Sequence, residues 1–207
     1  TAPELAADIV DQGIVLTGGG TEADNMALKG VAATRAPGCM LISPIEHPAV
    51  VDAAEALARI GWQIDRVAID GEGRVDLADL ERQLAGGDVA LVSIMIANNE
   101  TGVLQDMPAI AAIVRAAGAW LHTDAVQAPG KLGFDFAASG AHCASLSSHK
   151  IQGPKGVGAL IVDKHMDMAP LVHGGGHEQG LRSGSYNVAG IVGFGAATQR
   201  LEAHGEA

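Results

Sequence analysis

The sequence predicts an α/β domain built on a mostly parallel sheet, and three observations carry that reading. Short β-branched runs alternate with longer, alanine-rich segments of helical period. Glycine, at 28 of 207 residues, gathers where one kind of segment gives way to the other: in Gly18-Gly19-Gly20, between Gly153 and Gly158, and in Gly174-Gly175-Gly176. Hydrophobic residues make up 48% of a chain long enough to bury a substantial core. No repeat, low-complexity tract or linker divides it, so residues 1–207 read as a single domain.

The elements follow in order. Short apolar runs place strands at 14–16, 40–43, 63–67, 89–94, 120–123, 143–145 and 157–162. Helical periodicity places helices at 22–33, 48–60, 76–84, 108–117 and 188–203. Pro48 and Pro108 suit the first turn of their helices, where no intrahelical N–H is needed, and Gly118 follows a helix end. In an open parallel sheet, ligands bind beyond the carboxyl ends of the strands. The glycine clusters at those ends therefore mark one rim of the sheet.

Charge and cysteine content exclude several classes. Thirteen Lys and Arg against 24 Asp and Glu give a net charge of -11, the opposite of what a phosphate backbone demands, so no nucleic-acid partner is expected. No stretch approaches the roughly 20 apolar residues of a membrane span, and residues 1–13 show neither a basic nor an apolar targeting segment, so no membrane partner is expected. The first residue is Thr rather than Met, which leaves room for preceding chain. Cys39 and Cys143 lie far apart, outside any Cys-x-x-Cys spacing; a reducing, cytoplasmic setting fits them, without a disulfide framework or a thiolate zinc site.

Three stretches carry chemistry. Leu16-Thr17-Gly18-Gly19-Gly20-Thr21-Glu22 runs from strand through a glycine turn into a helix, whose exposed N–H groups, with the Thr21 hydroxyl, suit a phosphate; Thr21 as a simple N-cap is the alternative. It has neither the nucleotide P-loop pattern nor the dinucleotide fingerprint. Trp120-Leu121-His122-Thr123-Asp124 delivers a carboxylate at a strand end, where a protonated heterocycle would meet it, or else a helix N–H or a buried ion-pair partner. Ser147-Ser148-His149-Lys150 precedes a turn rich in Gly and Pro, a setting that can hold a Schiff-base lysine. Lys155 is the competing amine, and its place inside the turn assigns it an exposed role. His173 and His177 are separated by glycines that preset no common face for a metal, and no metal ligand is assigned. No Gly-x-Ser-x-Gly elbow accompanies His173-Gly174-Gly175-Gly176, which argues against a serine hydrolase.

Read together, Gly20-Thr21-Glu22-Ala23-Asp24-Asn25, Glu46-His47-Pro48, Asn98-Asn99-Glu100-Thr101-Gly102, His122-Thr123-Asp124-Ala125-Val126-Gln127, Ser148-His149-Lys150-Ile151-Gln152-Gly153-Pro154-Lys155-Gly156 and the stretch from His173 to Ser185 resemble the cysteine desulfurases, in the class V aminotransferase group of pyridoxal-phosphate enzymes. The blocks stand in family order along almost the whole chain. The resemblance implies a three-layer α/β/α fold, as in the large domain of fold-type I pyridoxal-phosphate enzymes, with pyridoxal 5'-phosphate as cofactor.

It further implies roles for individual residues. Lys150 would form the Schiff base and shuttle a proton at the substrate α-carbon, and His47 would stack on the ring and assist proton transfer. Asp124 would pair with the ring nitrogen, keeping the ring able to accept electrons. Gln127 would reach the phenolic oxygen, and Asn99 would lie beside ring and substrate. Gly20, Thr21, Ser147 and His149 would cradle the phosphate, and Ser185 would reach the phosphate of a neighbouring subunit, implying a homodimer. Gly20 stands where the family often has Ala, and Ser185 where Thr is common.

The family reaction converts L-cysteine to L-alanine and passes sulfur as a persulfide to an acceptor or scaffold protein, supplying iron–sulfur cluster or thio-cofactor assembly. Its nucleophilic cysteine comes on a loop beyond the Ser185 region, followed by a small C-terminal domain. The resemblance thus reads this chain as the large-domain part of a longer enzyme, inactive alone, with Cys39 and Cys143 in packing roles. Selenocysteine lyase, another class V enzyme and a non-catalytic scaffold or binding module are the alternatives.

Overall fold

The computed structural model describes residues 12–203; residues 1–11, most of the stretch read above for targeting signals, and residues 204–207 lie outside the described part. Seven strands form one sheet: β1 (Gln12–Thr17), β2 (Cys39–Ile42), β3 (Gln63–Arg66), β4 (Val89–Ser93), β5 (Trp120–Asp124), β6 (Cys143–Ser147) and β7 (Gly158–Asp163). The helices are α1 (Gly20–Ala32), α2 (Pro48–Ala58), α3 (Leu77–Leu84), α4 (Met107–Ala116), the short α5 (Phe136–Ser139) and α6 (Val188–Ala203), with 3-10 turns at Ser148–Ile151 and Glu178–Gly180. Every strand and helix expected from the sequence is present, with ends moved by a residue or two. Helix α5 is an addition, too short for periodicity to reveal.

The strand order is β1-β7-β6-β5-β4-β2-β3. Strands β2 to β6 are mutually parallel, and β7 runs antiparallel to both β6 and β1. A parallel return needs a crossover of a dozen or more residues, usually a helix. The connection from Ser147 to Gly158 holds only a 3-10 turn and a glycine-rich bend, so β7 comes back reversed.

Helices cover both faces. One core joins α1 and α2 to the sheet through Met26, Leu28, Val50 and Leu57; the other joins α3 and α4 through Leu80, Leu84, Ile110 and Val114. This is the three-layer α/β/α arrangement. The near-continuous burial of Ala90, Leu91, Val92 and Ser93 follows from having a helical layer on each side. Caps set the helix starts: the Asp76, Asp106 and Asp135 side chains accept from first-turn N–H groups of α3, α4 and α5. Helix α1 differs. Its N-cap is Gly19 rather than Thr21, and no side chain caps it, so its first N–H groups face outward. Among the described residues, no helix is long and apolar enough to cross a membrane.

Candidate functional site

Register brings the chemistry to one rim. Thr17 pairs with Gly158, and Gly158 with Ser147, so the ends of β1 and β6 and the start of β7 lie side by side. One strand over, Asp124 pairs with Ser145, and Ser93 pairs with His122.

An open cavity of about 620 Å³ lies on this rim, lined by Gly18, Gly19, Gly20, Thr21, Ser147, His149 and Lys155, among others. Its floor is the uncapped start of α1. Thr17 Oγ1 donates to the Gly19 carbonyl (3.0 Å), and the Gly18 N–H donates to Glu22 Oε2 (2.8 Å), which folds the loop back on the helix. The loop tolerates little bulk: a Cβ on Gly20 would stand 2.8 Å from Val126 Cγ2. Ser147 Oγ and His149 Nδ1 are 2.9 Å apart. Desolvation and the charges of Lys150 and Lys155 lower the His149 pKa. Oriented N–H groups, two hydroxyls and a nearby ammonium suit an anion such as a phosphate. Lys155 is exposed, as its turn position suggested, yet it also lines this cavity.

Beside the cavity lies an acidic centre. Asp124 is buried, and its Oδ1 accepts from the Val126 N–H at 2.9 Å, the local role weighed against an ion pair. Burial raises the Asp124 pKa, while the Val126 N–H and the positive charge of Lys150 oppose the rise. Ligand atoms of Asp24, His47 and Asp124 all fall within 4.8 Å of one another. Such a cluster suits a positive charge, a metal ion or a protonated heterocycle alike. The adjoining glycine-walled anion site and an amine within electrostatic reach fit a phosphorylated heterocyclic aldehyde, so the residues present match pyridoxal phosphate.

The remaining expected residues are placed as follows. His47 is the N-cap of α2, with Nδ1 accepting from the Ala49 N–H at 3.1 Å, so a neutral ring carries its proton on Nε2. Lys150 is exposed within the 3-10 turn after β6. That turn is held by Gly153, where a Cβ would collide with Ser148 Oγ. Gln127 is half-buried, and its Oε1 accepts from Lys131 Nζ, leaving the amide nitrogen as the donating end. Asn99 is exposed; its neighbour Asn98 fastens the loop by donating to the Ile45 carbonyl (2.9 Å) and accepting from the Glu100 and Thr101 N–H groups. Ser185 is exposed and is not among the residues that line the cavity.

Several contributors carried no role in the sequence reading. Glu22 receives Arg182 Nε at 2.8 Å, and Glu178 Oε2 accepts from the Leu16 N–H at 2.8 Å, which pins the glycine-rich stretch after His173 to the rim. Asp24, Glu46, His122 and Ser145 are all buried. For Asp24 the signal was available: it shares a helical face with Ala27, Leu28 and Val31, an acid inside an apolar stripe.

The family model for the aminotransferase class-V domain matches residues 6–207. A cysteine desulfurase IscS of Anaeromyxobacter sp. (strain Fw109-5) is 48% identical over 200 residues, covering 94% of this chain and 49% of that protein. Among solved structures, a NifS-like protein superposes with a TM-score of 0.87 at 40% identity, covering 91% of this chain and 52% of its own. A structure described as SspA in complex with cysteine gives 0.86 at 35% identity, with coverages of 90% and 55%. The chain spans about half the length of the curated relatives it matches. A mostly parallel sheet with an anion cradle and a buried aspartate on one rim, matched by a family model over nearly every residue, places the chain in the aminotransferase class-V family.

Proposed function

We propose that this chain is the cofactor-binding part of a pyridoxal 5'-phosphate-dependent cysteine desulfurase, a sulfurtransferase that converts L-cysteine to L-alanine. The carrying observation is Asp124, a buried carboxylate at the end of β5, within reach of the charge of Lys150 and beside the glycine-walled cavity. The relatives' names and the cysteine in the SspA structure's description support this choice of substrate.

When bound, pyridoxal phosphate supplies an aldehyde for an amine and a ring that accepts electrons. The protein does the rest. Gly20, Thr21, Ser147 and His149 hold the phosphate, with Lys155 adding charge. Asp124 balances a proton on the ring nitrogen, and Gln127 donates to the phenolic oxygen. His47 restrains the ring plane, Asn99 borders the substrate, and Lys150 moves a proton at the substrate α-carbon.

Neither cysteine suits the sulfur-accepting role. Burial and then Asp65 push the Cys39 thiol up to about 11, and Cys143 is fully buried with its pKa raised further by burial. A nucleophilic thiol needs the opposite environment. The persulfide-carrying cysteine is therefore assigned to the rest of the longer protein, with delivery to an acceptor or scaffold protein for iron–sulfur assembly. The exposed Ser185 is assigned to the partner site of a homodimer, and the two free cysteines favour a cytoplasmic setting.

The cofactor assignment is tested by adding pyridoxal phosphate to the purified chain, reducing with borohydride and mapping peptides by mass. The expected adduct falls on the peptide containing Lys150 and disappears in Lys150→Ala. An adduct that persists in that variant, or sits on Lys155, overturns the assignment.

A further inference from the structure

Asp24 lies on the buried face of α1, 1% exposed, directly beside Asp124. Its Oδ1 has no hydrogen-bond partner among the described residues; the closest ring nitrogen, His122 Nε2, is 3.6 Å away. His122 is itself engaged at both nitrogens, with Ser93 Oγ 2.8 Å from Nδ1 and Ser145 Oγ 3.0 Å from Nε2. Burial pushes the His122 pKa down to about 3, so the ring is neutral and offers Asp24 no countercharge. Glu46, from the loop before α2, is the third acid of this pocket: Oε1 accepts from the Met95 N–H (2.7 Å), and Oε2 is unpartnered among the described residues. Cys143 faces Asp24 from β6 as a buried thiol.

Two carboxylates this close in a dry site do not both ionise, and one proton belongs to the pair. The surroundings decide which member holds it. Asp124 has the Val126 N–H, at 2.9 Å, and the charge of Lys150 to favour its ionised form. For Asp24, burial and the neighbouring Asp124 outweigh the Ser145 hydroxyl and raise its pKa well above the usual carboxylate range.

We propose that Asp24 is a positioning residue of the cofactor site: its neutral carboxyl, lodged among His122, Ser145 and Asp124, leaves Asp124 as the single ionised carboxylate of the pair and holds it toward the cofactor. The location of the proton stands on this chain alone. What Asp124 then meets rests on the pyridoxal-phosphate reading above.

Two readouts test this. Difference infrared spectroscopy of the cofactor-free chain, with aspartate carboxyls isotope-labelled, should show a protonated carboxylic acid at neutral pH that vanishes in Asp24→Asn. Its absence from the wild-type chain overturns the proposal. Pyridoxal-phosphate titration followed by visible absorbance should give Asp24→Asn an affinity within about threefold of wild type and an unchanged pH midpoint, since the amide mimics a neutral acid. Asp24→Leu should bind about tenfold more weakly or worse, with a displaced midpoint, the scale typical of outer-shell partners. An Asn variant as impaired as the Leu variant, or a Leu variant that matches wild type, overturns it. If Asp24→Leu fails to fold, the infrared band and the Asn variant decide between them. A wild-type chain that takes up no pyridoxal phosphate overturns the cofactor reading instead, and the infrared band still locates the proton.

Discussion

At Gly158 an added Cβ would stand 2.5 Å from the Leu146 carbonyl oxygen and 2.8 Å from the backbone of Gly19. Neither neighbour is the movable end of a side chain. One is a β-strand carbonyl, and the other belongs to the loop that floors the anion cavity. Gly158→Ala should therefore cost about 3 kcal/mol in urea unfolding, the upper range for a forced methyl in packed surroundings. Gly71, where an added Cβ would meet nothing within 4 Å, provides the comparison, and Gly71→Ala should change stability by no more than about 0.5 kcal/mol. Equal effects at the two positions would show that the loop yields. The glycine excess was legible from composition. Which glycine carries the constraint was not, because the crowding comes from Leu146 and the far more distant Gly19 only after the sheet has formed; read locally, Gly158 is one more glycine after a turn.

Elements were the most legible scale, since helices and strands answer to near-neighbour periodicity. Their caps were less so: periodicity starts α3 at Asp76, which the structure makes its N-cap. Asp76 precedes the Leu77–Leu84 helix, and its Oδ1 accepts from the Ala78 and Asp79 N–H groups at 2.9 and 3.2 Å. Asp76→Ala should lower stability by about 1 kcal/mol, with Asp76→Ser or Asp76→Asn restoring most of it; thermal unfolding of the three variants measures this. A loss that Ser and Asn both fail to restore would assign Asp76 a role other than capping. The reversal of β7 was less legible. A run of β-branched residues carries no direction, and only the shortness of the Ser147-to-Gly158 connection sets it.

For the whole molecule, the buried titratable groups set how stability varies with pH. His122 has a folded-state pKa of about 3, below its ordinary 6.5, so the fold binds fewer protons there than the unfolded chain does. Its contribution is present above pH 6.5 and is lost as pH falls toward 3. Asp24 acts in the opposite sense: its pKa is raised, so its contribution is full below the ordinary carboxylate value and is lost as pH rises through the folded value. Substituting His122 separates the two. Between pH 7 and 4.5 the wild-type chain should lose about 2 kcal/mol more stability than His122→Asn, measured by urea unfolding at each pH. Equal slopes would mean that the folded protein carries His122 charged.

The sequence by itself determined the alternation of elements, the glycine turns at the strand ends and the residues whose types suit a phosphate, an amine and a ring nitrogen. All of these depend on neighbours a few positions apart, where periodicity and side-chain chemistry act directly. Tertiary structure alone decided that β7 would stand between β1 and β6, and that Thr17, Gly158 and Ser147 would share one row. It also decided that Asp24 would be enclosed against Asp124 and a neutral His122. The charge state of a carboxyl depends on how much water packing removes and on which charges it brings near, and both are properties of the assembled layers rather than of any segment within them.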